Sequence, residues 1–177
     1  MRPDIRKRIE KIDTKDWKKV SVEFGRNILE ISVPANCVEL TMKDVPILAN
    51  PQKAIEEAFF NPINSPPLEE IIRRKGKPPG EMSVAIAVSD ITRPVPYKGE
   101  TGILPPLLKR LESSGIKREN IKIIVATGMH RASTDEEKVE MYGKEVVEQY
   151  TILDHDCENN DLLESIGKTK RGTHVYI

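Results

Sequence analysis

A chain of 177 residues that is 38% hydrophobic and 32% charged has the composition of a globular protein able to bury a sizeable core. Its 28 Lys and Arg residues balance 28 Asp and Glu, which argues against a chain-wide nucleic-acid or anionic-membrane footprint. No apolar run approaches the roughly 18 residues that span a bilayer. The charged opening MRPDIRKRIEKIDTKDWKKV also lacks a signal-peptide core, so no membrane partner and a cytoplasmic location are expected.

Residues 1–19 place Ile5, Ile9 and Ile12 at helical spacing among charges, as in a short surface helix or a mobile charged extension. We treat them as an N-terminal extension to a domain spanning residues 20–177. The apolar-rich runs Val20–Phe24 and Ile28–Val33 flank Gly25-Arg26-Asn27, which reads as a β-hairpin. Pro51 suits the first turn of a helix reaching Phe60. The three prolines of Asn61-Pro-Ile-Asn-Ser-Pro-Pro67 then enforce a loop. A short helix is expected over Leu68–Arg74, followed by a loop over Lys75–Gly80.

From residue 82 the pattern changes. Ser83–Val88 and Ile121–Ala126 are nearly continuous apolar runs, the signature of strands buried on both faces, and Gln149–Leu153 is a third strand candidate. Between them, Leu104–Ser114 carries Leu107, Leu108 and Leu111 at helical spacing, and Thr134–Tyr142 opens with the Thr134/Glu137 spacing of a capping box. Strand, helix, strand, helix, strand predicts an α/β fold: a mainly parallel, Rossmann-like three-layer sheet with helices on both faces, preceded by the hairpin. Gly172–Ile177 rises into a further strand and stops, which reads as a domain truncated at its C-terminal end.

Ligands of open α/β sheets gather outside the carboxyl ends of the strands. Two such ends lead into polar segments, Ser89-Asp-Ile-Thr-Arg-Pro94 and Thr127-Gly-Met-His-Arg131. Parallel strands would bring Asp90, Thr92, Arg93 and His130 to one edge. Arg93 offers a fork for a carboxylate, His130 can exchange protons near neutral pH, and Asp90 can orient a base or bind hydroxyls. The blander alternatives are turn formation for Asp90 and Thr92, a surface ion pair for Arg93 and a structural role for His130. His155, in Leu153-Asp-His-Asp-Cys157, could approach the same edge, but three adjacent residues cannot readily face one ion, so no metal ligands are assigned. Cys37 and Cys157 form no CxxC pair and read as free thiols. There is neither a GxGxxG fingerprint nor a GxxxxGK[ST] loop.

Taken in order, Asn61-Pro-Ile-Asn-Ser-Pro-Pro67, Ser89-Asp-Ile-Thr-Arg-Pro94, Thr127-Gly-Met-His-Arg131 with its Asp-Glu-Glu continuation, and His155-Asp156 resemble the N-terminal domain of the nickel-pincer lactate racemase family. The resemblance implies a two-domain enzyme that racemises or epimerises a small 2-hydroxy acid by removing and returning a hydride. It also implies a nickel-pincer nucleotide as cofactor. By position, His130 matches one of two acid/base histidines, Arg93 a substrate-binding arginine, and Asp90 an active-site aspartate of unassigned contact. The second histidine, the cofactor-anchoring lysine and the nickel-ligating histidine have no counterparts among Lys168 or His174. The chain is thus expected to need its own C-terminal domain, to hold no cofactor alone, and to be inactive by itself. The competing reading is a non-catalytic domain that binds a carboxylate or sugar acid through Arg93 and Asp90.

Overall fold

The structure is a computed structural model and describes residues 15–177. The expected helix around Ile5, Ile9 and Ile12 lies outside the described residues. Two compact units divide between Ile47 and Leu48.

In the first unit, β1 (Trp17–Phe24) and β2 (Asn27–Pro34) form the expected antiparallel hairpin, with Phe24 opposite Asn27. Gly25 sits at the turn with φ of 62°, the left-handed region a side chain disfavours. β1 begins at Trp17, so residues 17–19 belong to the strand.

The second unit carries the parallel sheet. Its helices are α1 (Pro51–Phe60), α2 (Leu68–Arg74), α3 (Leu104–Ser113), α4 (Asp135–Tyr142) and α5 (Lys144–Gln149). β3 (Val84–Ser89), β4 (Ile121–Ala126) and β5 (Thr151–Asp154) lie side by side in that order, all parallel. A short antiparallel pair, β6 (Ser165–Lys168) and β7 (His174–Tyr176), follows. The mixed α/β class, the parallel sheet and the hairpin agree with the sequence reading.

The helices sit on the sheet in a more particular way. Ile121, Ile123 and Val125 point to one face of β4 and are fully buried, in a cluster with Val88, Leu104, Leu108 and Leu111 of α3, and Met141, Tyr142 and Val146 of α4 and α5. On the opposite face Ala85, Ala87, Lys122, Ala126, Thr151 and Leu153 are exposed, with Ile124 half-buried among them. Of the two faces expected to carry helices, the crossovers of this chain cover one. Topology explains it: right-handed crossovers between strands laid down in sequential order deliver every connecting helix to the same side. An apolar run on a strand marks both faces as destined for burial, but it does not say which chain segment buries each.

Candidate active site

β3 and β4 are parallel and in register, Ser89 beside Ala126, so both leave the sheet at the same edge. The loop after β3 turns tightly: the Arg93 N–H donates to the Asp90 carbonyl at 3.1 Å, and the Val95 and Tyr97 N–H groups each bond two residues back. The loop after β4 turns at Gly128, whose φ of 59° lets the His130 N–H reach the Thr127 carbonyl at 3.0 Å. The two turns bring Asp90 and His130, 40 residues apart in sequence, into contact.

Asp90 is 6% exposed, a buried carboxylate whose oxygens are both engaged. Oδ1 accepts the Thr92 hydroxyl at 2.6 Å and the Thr92 N–H at 3.2 Å, and Oδ2 lies 2.5 Å from His130 Nδ1. The Thr92 hydroxyl foremost, and His130 next, hold the Asp90 carboxyl below the usual carboxylate range although burial opposes them. Asp90, Thr92, Arg93 and His130 line one cavity of about 410 Å³ together with Ser89, Tyr97, Thr127 and Gly128. All four residues singled out from the sequence are therefore brought to one cavity.

His130 also borders a second cavity, about 540 Å³, on its β5 side, which His155 and Cys157 help to line. The role of His155 in the fold runs through its backbone: its N–H donates to the Val125 carbonyl at 2.9 Å, and its carbonyl accepts the Thr127 hydroxyl. This pins the end of β5 to the end of β4. His174 lies in β7, stacked on Tyr176, and lines neither cavity.

Several residues that fix the site were not evident beforehand. The Ser89 N–H donates to the Tyr97 hydroxyl at 2.7 Å, that hydroxyl donates to Ser89 Oγ at 3.1 Å, and the Tyr142 hydroxyl donates to the Ser89 carbonyl at 2.7 Å. The last residue of β3 is thereby clamped by two tyrosines whose rings lie 5.5 Å apart. The only hint was an aromatic residue after two prolines in Pro94-Val-Pro96-Tyr97. Arg131, next to His130, is committed to Glu137 through paired bonds of 2.6 and 2.8 Å. Lys138 pairs with Asp154 at 2.6 Å, and Asp154 also accepts the Ser133 N–H. The neighbouring cations Arg131 and Lys138 thus have internal partners, whereas Arg93 stands exposed at the cavity.

Residues 24–177 match the family model of the lactate racemase N-terminal domain. The chain belongs to that family. Among its relatives, the lactate racemase of Lactiplantibacillus plantarum is 37% identical over 126 residues, 71% of this chain and 27% of that protein. The lactate racemase of Thermoanaerobacterium thermosaccharolyticum is 27% identical over 162 residues, 89% of this chain and 36% of that protein. The solved structure of the lactate racemase apoprotein from the same organism superposes with a TM-score of 0.68 at 27% identity, covering 90% of this chain and 35% of that one. The chain therefore spans about a quarter to a third of the length of the relatives it matches. The family match begins at Phe24, inside β1.

Proposed function

We propose that this chain is the N-terminal part of a cytoplasmic 2-hydroxy-acid racemase, lactate being the default substrate, and that it supplies the substrate-binding and one proton-transferring side of the site. The supporting observation is the gathering of His130, Asp90 and Arg93 on one cavity at the carboxyl edge of a lactate racemase domain.

Racemisation at such a carbon requires its C–H bond to be broken and remade on the other face. If the hydrogen leaves as hydride, the hydroxyl must lose its proton for a carbonyl to form. A neutral imidazole at His130 can accept that proton and later return it, while the Arg93 fork pairs with the substrate carboxylate and fixes its orientation. The nickel-pincer nucleotide that the resemblance implies would, when bound, take up that hydride and return it. Among the described residues no three His, Cys, Asp or Glu side chains gather into a metal site. Its anchors are proposed to lie in the C-terminal domain, so that the 177-residue chain neither racemises nor retains nickel. Among the described residues, no helix is long and apolar enough to cross a membrane.

The test follows one enantiomer of lactate with the full-length protein and its His130→Ala variant. Conversion should occur with the former and fall by about 10²–10⁴ with the latter, the range for loss of a general base. A folded, cofactor-loaded His130→Ala enzyme of undiminished turnover would overturn the assignment. Saturable lactate binding without conversion by the full-length protein would instead favour a non-catalytic carboxylate binder. Stoichiometric nickel in the purified 177-residue chain would contradict the proposed division of the site.

A further inference from the structure

Asp90 makes none of the contacts that the proposed reading gives to Arg93 and His130, yet it is the most buried charged side chain of the cluster. An ionised carboxylate can only accept hydrogen bonds. With His130 Nδ1 2.5 Å from Asp90 Oδ2, the proton between them therefore belongs to Nδ1. A neutral imidazole carries a single N–H, so its Nε2 is left with a lone pair. Free histidine in water prefers the opposite tautomer, so the arrangement has to be imposed by the protein. Asp90 is itself held from the other side, since Oδ1 takes both the hydroxyl and the N–H of Thr92. The His130 side chain remains 54% exposed while that of Asp90 is 8% exposed, so the pair runs from a buried anchor to an accessible ring.

We infer that Asp90, braced by Thr92, is a positioning residue that locks His130 in the Nδ1–H tautomer and so makes Nε2 the proton-accepting atom. Its catalytic consequence rests on the reading of His130 given above, but the tautomer itself does not. In the forward step Nε2 takes the substrate hydroxyl proton and the ring becomes an imidazolium. Nδ1–H stays donated to Asp90, which remains ionised. In the return step Nε2–H gives the proton back to oxygen. Of the other charged groups near the pair, Arg93 lines the same cavity and Arg131 and Glu137 are bonded to each other, so that among the described residues Nδ1 is bonded to Asp90.

Long-range ¹H–¹⁵N correlation spectra of the 177-residue chain, taken where imidazoles are neutral, read the tautomer directly. His130 is assigned by the signal lost in His130→Gln. The Nδ1–H form should dominate in the unsubstituted chain. In Asp90→Asn the amide NH₂ can donate to Nδ1, and the population should swing to Nε2–H. Thr92→Val should shift it part of the way, with Thr92→Ser restoring it. An Nε2–H signal in the unsubstituted chain overturns the inference without needing any variant to fold. So does an Asp90→Asn chain of native amide dispersion whose Nδ1–H population is unchanged. In the full-length enzyme Asp90→Asn should lower kcat by about 10²–10⁴-fold, the scale of a wrong-tautomer histidine, with KM little altered. A normal tautomer swing with undiminished kcat would remove the positioning role. An inert His130→Ala substitution would instead count against the proton-transfer reading alone.

Discussion

At Ser89, three polar groups of one residue are held by two tyrosine hydroxyls, at the point where the chain leaves the sheet for Asp90. Tyr97→Phe keeps the ring and deletes the hydroxyl, so the Ser89 N–H loses its acceptor. A partly buried orphan donor costs about 1 kcal/mol. Urea unfolding should show a loss of that size, and a midpoint identical to that of the unsubstituted chain would show that the clamp contributes nothing. Glu137 makes a different prediction. The Arg131 guanidinium first, with the Thr134 N–H after it, pulls the Glu137 carboxyl from its ordinary 4.5 down to about 2. A carboxyl whose folded value is depressed stabilises the fold fully above its unfolded value, and that contribution fades as pH falls from about 4.5 towards about 2. Stability should decline across this window, and Glu137→Gln should flatten the decline, as read by urea titrations at stepped pH. Equal slopes for both proteins would contradict the assignment.

Among the elements, α4 has the most explicit start. Thr134 Oγ1 accepts the Glu137 N–H at 3.2 Å, and the Glu137 carboxylate accepts the Thr134 N–H at 2.9 Å, the reciprocal box that the Thr134/Glu137 spacing foretold. Thr134→Ala should cost about 0.5–2 kcal/mol of stability, measured by thermal or urea unfolding, and amide exchange should quicken in the first turn of α4. Unchanged exchange there would mean that tertiary contacts alone hold the turn. Elements with local signals were legible: Pro51 at the head of α1, the prolines ending it, and the leucines of α3. α5 was not, because Lys-Glu-Val-Val-Glu-Gln is six residues with two β-branched valines, and burial of Val146 decides it. β6 was equally hidden. Its Ser-Ile-Gly-Lys sequence has no strand pattern, and only pairing with β7 extends it. The site's membership could be read because apolar strands end abruptly in polar loops. Its bonding could not, since nothing in residue types 40 apart says that Asp90 meets His130 rather than solvent.

On the scale of the whole second unit, the three-stranded sheet carries its helices on one side and shows Ala85, Ala87, Ile124 and Leu153 on the other. Parallel sheets are normally covered on both faces. Leu153, 46% exposed in the middle of β5, is apolar surface with no covering element from this unit's helices. The 177-residue chain should therefore associate with itself or bind hydrophobic dyes. Leu153→Lys should reduce both without lowering the unfolding midpoint by more than a surface substitution does, about 0.5 kcal/mol. Sedimentation that is monomeric and independent of concentration would show that the bare face is inert.

The spacing of the parallel pairs also makes the site depend on contacts remote in sequence. β1–β2 and β6–β7 close on themselves within a few residues of their turns, whereas Val84 pairs with Ile121, and Lys122 with Thr151, across crossovers that contain helices. Such non-local parallel pairing is intrinsically slow, because the entropy of closing the loop is lost before the contacts repay it. The contact between Asp90 and His130 exists only once β3 and β4 are zipped to their carboxyl ends. The chemistry of this chain is therefore non-local by construction: either strand with its loop carries half of the pair, and neither half alone is a site.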